Sequence, residues 1–170
     1  MIYSFRNASF RDPQTGIYNQ EYFLEVFNRE WYRHLREEQS LALVYLRPHI
    51  HEMIKHHKLL EIFSHDIEKS LLRATDLIAK FDKDIFALGL FNINEEGADV
   101  VIARVEEQIS QFMATYGQDH SFTLDYKIAS GVCVPDRRNN IEQLFNFVEQ
   151  ISDDLERQNQ HLALKYMQRA

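Results

Sequence analysis

Cysteine is almost missing from this chain of 170 residues. Cys133 stands alone, which excludes an internal disulfide framework and fits a reducing compartment. Proline and glycine are scarce, at three and five residues, so long regular elements joined by short connections are expected. No apolar run approaches the roughly 18 residues that a membrane span needs. The start, Met1-Ile2-Tyr3-Ser4-Phe5-Arg6, has no signal-peptide core, and a cytoplasmic location is the expectation. Clusters of basic residues are also lacking. The net charge of −7 argues against a general nucleic-acid surface, although a few well-placed arginines suffice for a small nucleotide.

What is present is the profile of a globular protein, with 45% hydrophobic and 26% charged residues. With no linker, repeat or low-complexity stretch, the chain reads as one domain over residues 1–170, its core at about 9–158.

Residues 9–18 are turn-rich, and Asn19 is placed to cap a helix running to about Glu38. Tyr22, Phe23, Val26, Phe27, Trp31 and Leu35 recur along it at helical spacing and predict one buried stripe. Leu41 to Leu46 is a short apolar run ended by Arg47-Pro48, the pattern of a central strand. Helical spacing returns from about Glu52 to Leu72 through Ile54, Leu59, Leu60, Phe63, Ile67 and Leu71. Leu77–Phe81 and Ile85–Leu90 are strand-like and separated only by Asp82-Lys83-Asp84, which predicts a hairpin. A helix follows over Glu95–Tyr116, then a strand over Phe122–Val134 and a helix over Ile141 to about Gln158. Gln160 to Ala170 is expected to extend that helix or to fray.

After the opening helix the order is β-α-β-β-α-β, then a closing helix. That is the ferredoxin-like α+β arrangement, an antiparallel sheet with helices on one face.

Three segments carry a more specific signal. Asp12-Pro13-Gln14-Thr15-Gly16-Ile17-Tyr18-Asn19-Gln20 resembles the entry motif D-x-L-T-G-L-x-N-R of GGDEF domains, departing at Gln14 and Gln20. Arg73 to Phe86 (Arg-Ala-Thr-Asp-Leu-Ile-Ala-Lys-Phe-Asp-Lys-Asp-Ile-Phe) resembles the family's R-x-x-D-x-x-A-R-Y-G-G-D-E-F without a gap. Lys127 to Val132 resembles its later strand. The order and spacing agree over roughly residues 9–158, so the chain looks like a diguanylate cyclase-like GGDEF domain. Active members of that family condense two GTP molecules into cyclic di-GMP with divalent metal.

The departures from the pattern fall on the chemistry. Where the family has a metal-binding D-x-D this chain has Leu46-Arg47-Pro48, and the family's guanine-contacting asparagine is replaced by Ile54. A following guanine-reading aspartate has no counterpart. In the signature, Asp82 and Lys83 replace both glycines and Ile85 replaces the acid, while Asp84 and Phe86 are kept. The phosphate-binding lysine near the C-terminus becomes Glu156. Phosphoryl transfer depends on positioned charge and metal, so these losses together imply a degenerate domain that is not an enzyme and has no cofactor.

Arg73 and Asp76, by contrast, reproduce the family's R-x-x-D inhibitory site, and the same register puts Arg104 where relatives carry a second arginine of that site. The resemblance implies cyclic di-GMP as ligand. A guanidinium can make paired hydrogen bonds to guanine O6 and N7 or grip phosphate, and a carboxylate can accept from N1–H and N2–H. The alternative is a capping salt bridge in a ligand-free scaffold that docks a protein partner or a neighbouring domain, with homodimerisation left open.

Other candidates read as structural. His49, His51, His56 and His57 invite a metal, but lack supporting spacing and read as a solvated loop. Cys133 reads as packing, and Glu95-Glu96 and Asp153-Asp154 as helix-start and helix-surface charges. Tyr3 and Phe5, ahead of the entry motif, are candidates for contact with a partner.

Overall fold

The computed structural model describes residues 10–49, 57–117 and 124–168. Tyr3, Phe5, His51, Ile54, His56 and the side chain of His57 lie outside this description. In chain order the elements are β1 (Tyr18–Asn19), α1 (Gln20–Glu37), β2 (Leu41–His49), α2 (His57–Glu68), β3 (Leu77–Phe81), β4 (Ile85–Phe91), α3 (Glu95–Tyr116), β5 (Asp125–Cys133), α4 (Ile141–Gln158) and β6 (Leu162–Tyr166).

They form an α+β fold around a sheet of order β1-β3-β4-β2-β5-β6. The inner four strands are antiparallel, as a βαββαβ core requires. The two outermost strands are added in parallel, β1 along β3 and β6 along β5, so the whole sheet is mixed.

Helices cover both faces, not one. Ala42, Val44 and Leu46 of β2 join Phe86, Leu88 and Leu90 of β4 beneath α2 and α3, around Phe63, Ile102 and Phe112. The alternate residues Leu41, Leu43 and Tyr45 pack with Phe23, Phe27 and Trp31 of α1 and Leu144, Val148 and Leu155 of α4. The period of two along a strand feeds these two cores, which is why the central strands are apolar at every position from Leu41 to Leu46. The second core rests on one close approach. A Cβ on Gly131 of β5 would stand 2.7 Å from Val148 Cγ2 of α4.

Asparagines start three of the helices. Asn19 accepts from the Tyr22 amide and Asn94 from the Gly97 amide. Asn140 accepts from the Gln143 amide while the Gln143 side chain accepts in return from the Asn140 amide, a reciprocal capping box.

Four expectations are corrected. β2 does not stop at Arg47-Pro48 but runs to His49, with Pro48 opposite Tyr126 and His49 opposite Asp125. α2 ends at Glu68 rather than Leu72. The stripe of α1 closes on His34, which is fully buried, while Leu35 is only half-buried. The chain after Asn159 neither extends α4 nor frays: Asn159 takes a left-handed turn (φ 50°) and β6 follows.

Candidate functional site

Asp12 and Gly16 build the turn ahead of the sheet. Asp12 Oδ2 accepts from both the amide (2.8 Å) and the hydroxyl (2.7 Å) of the buried Thr15, and the Asp12 carbonyl accepts from the Gly16 amide at 2.8 Å. Gly16 has φ of +80°, a conformation that favours glycine. The turn is a structural device that delivers Ile17 to the core and Asn19 to its cap.

Arg73 and Asp76 stand just before β3 and form a forked pair. Arg73 Nε donates to Asp76 Oδ2 at 3.1 Å and Nη2 to Oδ1 at 3.3 Å. The Arg73 side chain is 44% exposed, whereas that of Asp76 is only 2% exposed. Asp76 Oδ1 also accepts from the Phe91 amide at 3.1 Å, and Arg73 donates to the carbonyls of Phe91 (2.5 Å) and Asn92 (3.3 Å). The pair thereby ties the approach to β3 to the exit from β4.

Arg104, on α3, donates from Nη1 to the carbonyl of the buried Ser70 at 3.1 Å. Arg73, Asp76 and Arg104 line one cleft of about 530 Å³, together with Ser40, Asn92 and Asn94. Two apolar side chains stand on the same cleft, Leu72 at 73% and Val100 at 54% exposure. The arrangement offers guanidinium donors beside apolar surface, which suits a flat ligand bearing acceptors or negative charge.

Across the molecule, between the end of β2 and the last turns of α4, lies a second group of charges. Arg47 approaches Asp153 at 3.7 Å and Glu156 at 3.9 Å. His49 Nε2 lies 3.0 Å from Glu156 Oε1, and its Nδ1 3.5 Å from Asp125 Oδ2. His49 is therefore a paired strand residue, not part of a solvated loop. Among the described residues no group of three or more His, Cys, Asp or Glu is placed to hold a metal ion.

The link between β3 and β4 is a tight turn over Asp82–Asp84. Lys83 and Asp84 have φ of 62° and 59°, left-handed values that cost a side chain energy. Lys80 Nζ steadies the turn, donating to the Phe81 carbonyl at 2.9 Å and lying 3.4 Å from Asp84 Oδ1. Ile85 and Phe86 are buried and belong to the two opposite cores.

The family model described as the diguanylate cyclase GGDEF domain matches residues 9–161. The chain belongs to the GGDEF family.

Solved structures agree with the match. SiaD from Pseudomonas aeruginosa, a diguanylate cyclase in complex with its activator SiaC, superposes with a TM-score of 0.76 at 18% identity, over 98% of this chain and 65% of that one. The coiled coil and GGDEF domain of DgcB from Caulobacter crescentus, in complex with c-di-GMP, gives 0.80 at 9% identity, over 96% of this chain and 90% of that one. The FimX GGDEF domain from Pseudomonas aeruginosa gives 0.70 at 16% identity, over 92% and 99%. Identities this low speak for the fold alone. No curated protein sequence matches the chain.

In this GGDEF domain the signature positions Asp82 to Phe86 thus form the turn between β3 and β4 and the first residues of β4. Cys133 is fully buried, and burial, with Asp136 nearby, pushes its thiol up to about 12, so it stays protonated and inert. Glu95 and Glu96 occupy the first turn of α3, and Asp154 pairs with Arg157 and Gln150 on the surface of α4. Among the described residues no helix is long and apolar enough to cross a membrane.

Sequence reasoning missed the pairing of Arg47 with Glu156 and the burial of His34. Each of Arg47 and Glu156 was visible as a departure, but only the fold brings β2 against α4. His34 lies three residues after Trp31 on the apolar stripe of α1, and that spacing was the signal for it.

Proposed function

We propose that this GGDEF domain makes no cyclic di-GMP and serves instead as a cytoplasmic receptor for it, holding the nucleotide at Arg73 and Arg104 and passing the bound state to a protein partner. The observation that carries the reading is the convergence of Arg73, Asp76 and Arg104 on one cleft with exposed apolar surface beside the arginines. In this reading Arg73 and Arg104 bind guanine acceptors or phosphate, and Leu72 and Val100 cover the base. Asp76 keeps the Arg73 fork in place, its own oxygens being occupied by Arg73 and the Phe91 amide.

Loss of catalysis is supported by the residues at the other end of the sheet. A divalent cation needs hard oxygen ligands at the end of β2, and Arg47 puts a guanidinium there. A triphosphate needs cations on α4, and Glu156 offers a carboxylate. The residues present do not fit the metal the family uses. The relatives DgcB, solved with c-di-GMP, and SiaD, solved with its activator SiaC, make a nucleotide ligand and a protein partner natural expectations for this chain.

A second reading, a ligand-free interaction scaffold, is favoured by one specific observation. The donors of Arg73 are largely committed within the chain, to Asp76 and to the carbonyls of Phe91 and Asn92. Leu72 and Val100 then become contacts for a partner protein.

Titration calorimetry with cyclic di-GMP separates the two. Binding at micromolar concentration or tighter that is lost in Arg73→Ala supports the receptor. No heat at high ligand concentration leaves the scaffold.

A further inference from the structure

Beside the cleft lies a buried histidine. His34, in the last turn of α1, is fully shielded from solvent. Its Nδ1 lies 2.7 Å from the Glu30 carbonyl oxygen, and its Nε2 lies 2.8 Å from the Asn92 amide nitrogen. A carbonyl can only accept and an amide N–H can only donate, so the ring carries its proton on Nδ1 and presents a bare Nε2.

Asn92 turns the chain out of β4 with φ of 50° and lines the cleft. The carbonyls of Phe91 and Asn92 anchor Arg73, and the Phe91 amide anchors Asp76. One short stretch of backbone is therefore gripped by the imidazole and by the Arg73–Asp76 pair together.

We propose that His34 is a positioning residue for the cleft: in its neutral form it fixes the Phe91–Asn92 backbone on which Arg73 is anchored, and its protonation frees that backbone and weakens the hold on cyclic di-GMP. The inference rests on the receptor reading above and adds proton control of the same site. A proton on Nε2 would set one N–H against another in a buried space, replacing a hydrogen bond by a repulsion. The charged groups facing the ring are Glu30, Arg33 and Glu37 of its own helix, while β4 presents the Phe91 ring, 5.7 Å away between centroids. Burial holds the imidazole below its ordinary range, against the opposing pull of the Glu30 carbonyl. Release of the backbone therefore falls on the acid side of about 6.5.

Two measurements on the whole chain test this. The first follows the Asn92 amide by heteronuclear NMR from about pH 8 to about pH 5 without ligand, the window in which a histidine titrates. The amide is expected to shift with the titration of His34 and to stay flat in His34→Gln, whose side-chain carbonyl accepts but does not titrate. An Asn92 amide indifferent to pH in the wild type, or titrating equally in His34→Gln, overturns the proposal whether or not a nucleotide binds.

The second is calorimetry with cyclic di-GMP across the same range. Wild-type affinity is expected to fall by up to about ten-fold per pH unit once His34 titrates, the limit for one linked proton. His34→Gln should bind normally at neutral pH and lose that dependence. A merely structural His34 would alter stability and leave the pH profile of binding unchanged, which overturns the proposal. Failure of the wild type to bind at neutral pH sinks the receptor reading and its regulation together, while the Asn92 shift still reports separately on the coupling of ring and turn.

Discussion

Arg47 of β2 and Glu156 of α4 face each other at 3.9 Å, the first a cation within the segment where the family resemblance leads one to expect D-x-D, the second a carboxylate where it leads one to expect a lysine. The strand end thus carries a cation and the helix facing it carboxylates, Asp153 and Glu156. His49 Nε2 lies 3.0 Å from Glu156, and Asp153 lies 3.7 Å from Arg47. Arg47 and Glu156 offset each other's charge across the gap between strand and helix.

Glu156→Lys is expected to lower stability by about 1 kcal/mol, the upper end for partly exposed pairs, because it sets a second cation beside Arg47. Glu156→Gln should cost less, and adding Arg47→Glu to the lysine variant should recover part of the loss. Urea denaturation at low and high salt measures all three. Equal losses for lysine and glutamine, unaffected by salt, would count against an electrostatic role.

Asp76→Ala should destabilise the fold by about 2 kcal/mol, since it leaves the Phe91 amide and the Arg73 fork without their acceptor in a largely buried place. Asp76→Asn keeps an acceptor for the amide and should lose about half as much. Thermal unfolding of the two variants distinguishes this anchoring role from a purely ligand-facing one, which would leave stability unchanged.

Lys83→Gly should raise stability by about 0.5 kcal/mol, as relief from the left-handed strain at φ 62° outweighs the added freedom of glycine in the unfolded chain. It restores one glycine of the signature but not the metal or phosphate contacts. Incubated with GTP and magnesium, neither this variant nor the wild type should release cyclic di-GMP. Product from the wild type would refute the reading of an inactive domain.

Asn140→Ala removes one half of the capping box of α4 and should cost about 1 kcal/mol. Asn140→Asp retains the acceptor and should be close to neutral. Denaturation midpoints give both values.

Local chemistry made much of the fold legible. Asn19 announced the start of α1, the triplet Asp82-Lys83-Asp84 announced the hairpin, and the apolar period gave α3 and α4 their observed limits. β6 was illegible because Leu162-Ala163-Leu164-Lys165 favours a helix locally, and only its parallel pairing with β5 makes it a strand. Helices on both faces could have been expected from Leu41 to Leu46, where an unbroken apolar run signals a strand covered on both sides. The candidate cleft was half legible. Motif spacing pointed to Arg73, Asp76 and Arg104, whereas their ties to Phe91, Asn92 and Ser70 are long-range and leave no trace in local pattern.

The outer position of β6 has a consequence for how copies of this protein meet. Among the described residues no strand pairs with its far edge, whose backbone amides and carbonyls are groups to which a foreign strand can add, the usual route to uncontrolled sheet growth. Lys165 stands exposed as the last residue but one of that strand, so a second copy laid against it would bring like charges together. On that ground the lysine is a guard on the seam, and neutralising it is expected to invite aggregation without altering the monomer.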